Sequence, residues 1–337
     1  MERGAFFYLL AMGSLKMEPM PPSLRSQPAA SSQARGFAFA LAAAAILSTT
    51  AVLIRHLSLA YHLPALIMAF WRDLFVVATL VPVFACFRPD LLRVARRHLP
   101  YLAAYGLVLA LFNVFWTLSV TLNGAAVGTV LVYCSGAFTV FLGRLLLDEP
   151  LTPAKLLACA LSLAGCVLVS GALHATAWQA NLAGILTGIL SGLSYAGYSL
   201  MGRSAARRGL DPWTTLLYIF GFGTLFLFLC NLAPGGPLPG SAARMADFLW
   251  LGTSVPGWTT LFLLAAVPTV AGFGCYLVSL AHLPSGVANL VASSEPAFTT
   301  LCAYVFLGER LGPMQIGGGL LILVGVVALR VDEAHRG

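Results

Sequence analysis

Charge is the scarcest thing in this chain. Asp, Glu, Lys and Arg together make up 9% of its 337 residues, where a water-soluble domain carries about a quarter. Lysine occurs only at Lys16 and Lys155. So few charges cannot keep the surface of a chain this long wet, and one apolar core cannot take up so many apolar side chains. That excludes a soluble protein and makes lipid the solvent for most of the sequence. Metal and cofactor chemistry also find no footing. None of the seven cysteines forms a CxxC, the histidines fall near the ends of apolar runs without metal-ligand spacing, and no HExxH or phosphate-binding lysine loop occurs. The expectation is no metal, no cofactor and no ATP-driven pump. The net charge of +7 does not point to nucleic acid, because the basic residues sit in short clusters between apolar runs rather than on a polar face.

What the chain has in abundance is apolar length: 59% of it is hydrophobic. Ten runs are each long enough to cross a bilayer core of ~30 Å at 1.5 Å per residue. They are 36–55, 64–87, 99–121, 124–147, 153–173, 182–202, 212–232, 259–281, 284–307 and 312–330. The expected class is an all-α integral membrane protein of ten transmembrane helices, arranged as two five-helix repeats of inverted topology. Residues 1–35 read as a disordered cytoplasmic leader, 36–173 and 182–330 as the two repeats, and 331–337 as a cytoplasmic tail. The long 233–258 connection offers an interfacial helix anchored by Trp250 and Trp258.

Placing both termini in the cytoplasm puts Arg25, Arg35, Arg88, Arg93, Arg96, Arg97, Arg144, Lys155, Arg203, Arg207, Arg208, Arg330 and Arg336 inside. Only Arg55, Arg244 and Arg310 are then left outside, the bias that the positive-inside rule requires.

The most specific feature is an internal repeat at an offset of 160 residues. Leu147-Asp148-Glu149-Pro150-Leu151-Thr152-Pro153 matches Leu307-Gly308-Glu309-Arg310-Leu311-Gly312-Pro313, Ala137-Phe138-Thr139 matches Ala297-Phe298-Thr299, and Gly165 matches Gly325. Five helices per half is an odd number, so the second half enters the membrane from the opposite side, as in many secondary transporters. These features resemble the EamA-type transporters of the drug/metabolite transporter superfamily over residues 36–330. Carrying the resemblance are the ten-helix duplication, the LxE motif closing the fourth and ninth spans, Ser294-Glu295-Pro296-Ala297-Phe298, and Arg72 within Phe70-Trp71-Arg72. The first half departs from the pattern, with Ser135-Gly136 in place of Glu295-Pro296. The resemblance implies a multi-pass protein of the bacterial inner membrane that moves amino acids, related metabolites or toxic compounds. Its partners would be a small-molecule substrate and the lipid bilayer, with no nucleic acid. A membrane-embedded enzyme and a non-transporting scaffold are the alternatives. Gly192-Leu193-Ser194-Tyr195 is the nearest approach to a catalytic motif, and no histidine lies at membrane depth to act as its base.

Candidate functional residues follow from depth. Arg72, Asp73 and Glu295 are the charges nearest the midplane, and at roughly 2.5–3.5 kcal/mol each they must face the protein interior. They either serve the pathway, with Glu295 the proton-coupling candidate, or tie helices as a buried ion pair, with Glu295 the expected partner of Arg72. Asn113, Trp116, Tyr133, Tyr195, Tyr198, Tyr276, Asn289 and Ser293 are the polar and aromatic candidates for lining a substrate path. Gly136 and Pro296 are expected to interrupt the fourth and ninth spans at matching places. Glu149 and Glu309, just ahead of Pro153 and Pro313, read as structural anchors at the N-termini of the fifth and tenth spans.

Overall fold

A computed structural model describes residues 30–170, 173, 182–232, 238, 240–242, 244–307 and 312–336. Among the described residues the regular structure is helical throughout. The elements are α1 (Ala30–Tyr61), α2 (Ala65–Phe87), α3 (Leu99–Tyr133), α4 (Ser135–Leu147), α5 (Pro153–Ser170), α6 (Leu182–Arg207), α7 (Pro212–Asn231), α8 (Val255–Leu264), α9 (Val270–His282), α10 (Ser285–Ala292), α11 (Glu295–Leu307) and α12 (Pro313–Arg336). A π-helical turn, Ala265–Thr269, joins α8 to α9 and contains Pro268. The wider turn tolerates the missing proline N–H.

Seven segments of the described residues are long and apolar enough to cross a membrane: 65–87, 96–120, 130–147, 153–170, 212–231, 255–282 and 313–334. The expected first, sixth and ninth spans are not among them; the ninth is split at Ser293–Ser294 into pieces of 8 and 13 residues. The helix expected to begin at residue 36 starts at Ala30, and the expected tail continues α12 to Arg336. Residues 1–29, most of the expected leader, lie outside the described residues.

α3 joins the expected third and fourth spans into 35 helical residues, a length of about 52 Å if straight. It is not straight. A Cβ at Gly128 would lie 3.3 Å from Val120 Cα, where eight residues of helix would separate them by ~12 Å. The chain therefore folds back between these two positions, where the sequence places its break.

Two contacts join the halves. α5 and α12 run antiparallel. Thr152 Oγ1 donates to Asp332 Oδ2 at 3.1 Å and Lys155 Nζ lies 3.6 Å from Glu333 Oε1 at one end, while Gly318 meets Leu168 at the other. Their backbones touch at glycines: a Cβ at Gly318 would lie 2.7 Å from the Gly165 carbonyl oxygen, and one at Gly325 3.4 Å from that of Ala158. Shifting 158 and 165 by 160 gives 318 and 325, so each contact is the repeat image of the other. α4 and α10 also run antiparallel and closely, with Gly143 against Ser285, Gly286 against Val140 and Gly136 against Leu290. Around them α6 packs on α3, and α1 on α9, where Gly272 meets Leu47.

Candidate functional site

Each of the two helix interruptions lies two residues ahead of Gly136 or Pro296, the residues to which the sequence assigns them. α3 gives way to α4 at Cys134, and α10 to α11 at Ser293–Ser294. Cys134 and Ser294 are 160 positions apart, so the breaks are repeat equivalents. Pro296 sits in the first turn of α11 rather than mid-helix, a place where a missing N–H costs no hydrogen bond. Gly136 breaks nothing. It is buried inside α4, where its hydrogen lets Leu290 approach to 3.1 Å of an ideal Cβ position.

Side chains from both halves converge between the breaks. Asn289 on α10 is at the hub. Its Oδ1 accepts from Ser135 Oγ at 3.3 Å, and its Nδ2 donates to Ser199 Oγ at 3.0 Å. Ser199 also contacts Tyr276 OH at 2.7 Å and donates to the Tyr195 carbonyl at 3.0 Å. A hydroxyl has one hydrogen to give, so Tyr276 is the donor to Ser199. The chain Ser135–Asn289–Ser199–Tyr276 thus ties α4, α10, α6 and α9. Ser293, next to the break, donates to the Asn289 carbonyl at 2.9 Å. Serines in apolar runs carry little signal by themselves, and Ser135 and Ser199 were not among the sequence candidates. The one available cue was Ser199 standing four residues after Tyr195, on the aromatic face of α6.

That face forms a ring stack. Phe112 lies on Tyr195 (centroids 5.2 Å apart), and Tyr195 and Tyr198 both lie on Tyr276 at 6.1 Å. Tyr105 extends the stack to Tyr198 at 5.0 Å. Trp116 is half-buried one turn beyond Asn113 on α3.

The deep charges pair differently from expectation. Arg72 holds its neighbour Asp73, Nη2 to Oδ1 at 3.2 Å, and donates from the same nitrogen to Asn113 Oδ1 at 3.0 Å. Glu295 is not its partner among the described ion pairs and faces the Tyr133 hydroxyl. Depth along a helix can be read from sequence; azimuth cannot, and a guanidinium is long enough to fold back onto an adjacent carboxylate. Two buried polar atoms of this region, Asp73 Oδ2 and Asn113 Nδ2, have no hydrogen-bond partner, and the hydroxyls of Tyr105 and Tyr198 face each other. The site therefore offers a carboxylate acceptor, an amide donor and two phenols beside a wall of rings.

Both ends of the bundle are tied. At the arginine-rich end, Glu149 leaves its own half. Asp148 adopts a left-handed conformation (φ 54°) after α4, and Glu149 then accepts from Ser285 N at 2.7 Å, Ser285 Oγ at 3.0 Å and Gly286 N at 3.3 Å. It caps α10, not the fifth span to which the sequence assigned it. α10 follows Pro284 and has no capping side chain of its own. Arg203 closes the opposite polarity, donating to the Leu280 and Ala281 carbonyls at 2.9 and 3.0 Å, and Arg207 donates to the Leu147 carbonyl at 2.8 Å. Cations there suit helix C-termini. At the other end Trp71 Nε1 donates to the Phe248 carbonyl at 2.7 Å, Trp250 Nε1 to the Tyr61 carbonyl at 3.1 Å, and Trp258 stacks edge-on against Trp71. Glu309, the repeat equivalent of Glu149, lies outside the described residues. Among the described residues no group of three or more His, Cys, Asp or Glu is placed to hold a metal ion.

Comparison with known proteins follows the same division into halves. The EamA-like transporter family matches residues 34–171 and again 182–331. An uncharacterised transporter of Archaeoglobus fulgidus is 30% identical over 202 residues, covering 60% of this chain and 66% of that protein, just under two thirds of its length. The chloramphenicol-sensitive protein RarD of Pseudomonas aeruginosa is 28% identical over 58% of each chain. A probable amino-acid metabolite efflux pump of Salmonella typhimurium is 24% identical over 82% of this chain and 90% of its own. A crystal structure shares the fold with a TM-score of 0.71 at 17% identity, covering 90% of this chain and 98% of the other.

Proposed function

We propose that this chain, which belongs to the EamA-like transporter family, is a secondary carrier that exports small amino-acid-like or drug-like metabolites across the bacterial inner membrane by alternating access. The observation that carries the reading is the image-related contact of α5 and α12. Two repeat-equivalent helices that touch antiparallel, with contact 165/318 mirrored by 325/158, are what a two-fold axis lying in the membrane plane produces. Ten crossings with both termini inside, and the two repeats at 36–173 and 182–330, fit that axis. Two halves related in this way can open to either side at similar cost.

The central site suits such a substrate. Arg72 and Asn113 Nδ2 meet an acidic or carbonyl group, Asp73 Oδ2 meets an amine, and the Phe112–Tyr195–Tyr276 stack meets an apolar or cationic body. The Asn289 hub sits where both breaks meet, so relative motion of the halves must rearrange it. On the cytoplasmic side the Glu149 cap and the Arg203 and Arg207 contacts seal the bundle, and inward opening requires them to part. Glu295, at a break and facing Tyr133, is the proton-coupling candidate. Gradient-driven flux in membrane vesicles tests this reading. Substrate accumulation should follow an imposed pH gradient in the wild type and lose that dependence in Glu295→Gln, while equal accumulation with and without the gradient would remove proton coupling.

A further inference from the structure

Between α2 and α3 the chain runs through two short 3-10 turns, Pro89–Leu92 and Arg96–His98. This connection is pinned to α7. Leu91 is buried, its carbonyl accepts from Thr214 Oγ1 at 3.0 Å, and the Leu92 carbonyl accepts from Tyr218 OH at 2.9 Å. Arg93, Arg96 and Arg97 follow directly, and all three are exposed.

The protein leaves these charges unanswered. Asp90 is taken by Arg88, which donates to it from Nε at 3.2 Å and from Nη2 at 3.0 Å. Asp211 caps α7, accepting from Trp213 N at 2.8 Å and Thr214 N at 3.1 Å. None of the three arginines has a carboxylate among the described ion pairs. Arg97 Nε donates to His98 Nε2 at 3.2 Å, which leaves both its Nη nitrogens free to donate elsewhere. A further cation, Arg208, lies over the Tyr101 ring at 4.1 Å and, like Arg97, is close enough for its charge to act on His98.

An apolar stripe continues the patch. Pro100, Leu107 and Leu111 are exposed on α3 at i, i+7 and i+11, which is one helix face, and Arg96 precedes Pro100 by four residues. Only the methyl groups of Ala103 and Ala104 lie between Pro100 and Leu107 on that face. Pro100 to Leu111 rises about 16 Å, the depth of one leaflet of a ~30 Å hydrocarbon core. Residues 96–120 are apolar enough to cross that core, so the stripe faces acyl chains.

We propose that Arg93, Arg96 and Arg97 form a binding site for an anionic phospholipid, with its phosphate held by the guanidinium groups and an acyl chain laid along Pro100, Leu107 and Leu111. Guanidinium and phosphate match in charge and in hydrogen-bond geometry. A zwitterionic phospholipid brings its own ammonium and neutralises the patch less well. A soluble phosphate ester matches the charge and leaves the stripe unused. The site rests on embedding in a membrane, not on transport or on which end faces the cytoplasm.

Anisotropy of tail-labelled phosphatidylglycerol and phosphatidylethanolamine, titrated with the purified full chain in neutral detergent, tests it. Phosphatidylglycerol should bind on the order of a hundredfold more tightly, at about fivefold for each arginine. Arg96→Gln combined with Arg97→Gln should weaken it about fivefold for each charge removed, while Arg144→Gln, at an exposed arginine of α4, should change nothing. Arg96→Lys combined with Arg97→Lys should keep most of the affinity. In the unaltered protein, raised ionic strength should weaken phosphatidylglycerol binding and leave phosphatidylethanolamine as it was. Glycerophosphoglycerol, the same headgroup without chains, should not displace the lipid at matching concentration. Equal affinity for the two lipids, insensitivity to salt, a lysine variant as weak as the glutamine one, or equal losses in the glutamine variant and Arg144→Gln would overturn the site. Displacement by the chainless headgroup would overturn it too, and would assign the arginines to a soluble phosphate ester.

Discussion

Glu149 and Ser285 stand 136 residues apart and meet at 2.7 Å, the carboxylate of one half capping a helix of the other. The contact is buried and multiple, and it joins the two halves that the proposed alternating access would part. On that proposal its strength should set the balance between closed and open states of this end.

Removing that cap should both destabilise and open the protein. Glu149→Ala is expected to lower stability by about 1.5–3 kcal/mol, the range for hydrogen bonds to a charged group. Glu149→Gln, which keeps acceptor oxygen, should cost less. Thermal unfolding in detergent measures the first effect. Maleimide labelling of a cysteine at Val140, buried against Gly286, measures the second and should quicken in Glu149→Ala. Unchanged labelling would mean the cap does not control access.

Adjacent glycines on α12 supply a matched pair. A Cβ at Gly318 meets the Gly165 carbonyl oxygen at 2.7 Å, whereas one at Gly317 meets nothing within 4 Å. Gly318→Ala should destabilise by roughly 1–3 kcal/mol, the usual cost of overpacking. Gly317→Ala should be neutral or slightly stabilising, since alanine favours helix. Equal effects would remove the close α5–α12 contact.

The charge pair predicts a specific pattern of coupling. Asp73→Asn removes the partner of Arg72 and should cost roughly 3–5 kcal/mol, with a clear coupling energy to Arg72→Met in a double-mutant cycle. Arg72 and Glu295 have different partners, so their cycle should give under ~0.5 kcal/mol. A large Arg72–Glu295 term would restore the pairing expected from depth alone.

Orientation is open to reporter fusions. Fusions at residues 90 and 205 should report cytoplasm and one at residue 245 the periplasm. Residue 245 reporting cytoplasm would contradict both the orientation and the inverted repeat.

Much of this arrangement was legible in the sequence, and the illegible part has a common cause. Pro296 marks the α10–α11 break by its missing N–H, and the 160-residue offset carries that mark to Gly136, beside the turn at Cys134. That Tyr195 and Tyr198 share one face of α6 follows from helical periodicity; their meeting with Tyr276 of α9 does not. What periodicity cannot supply is the partner across a helix interface. Glu149 was placed at the helix that follows it in sequence, yet it serves α10, whose N-terminus after Pro284 has no cap of its own. That uncapped N-terminus was the available signal. Arg72 was matched to Glu295 by depth, yet its guanidinium found Asp73 and Asn113 nearer at hand.

Counterflow is the most direct test of a carrier with alternating access. Proteoliposomes holding the purified protein are loaded with millimolar unlabelled amino acids and related metabolites, then diluted into trace labelled compound. A carrier should accumulate label transiently above equilibrium for at least one compound, and Asn289→Ala, which removes the hub between the halves, should slow it. No overshoot for any compound, or label that only equilibrates as through a channel, would contradict the account.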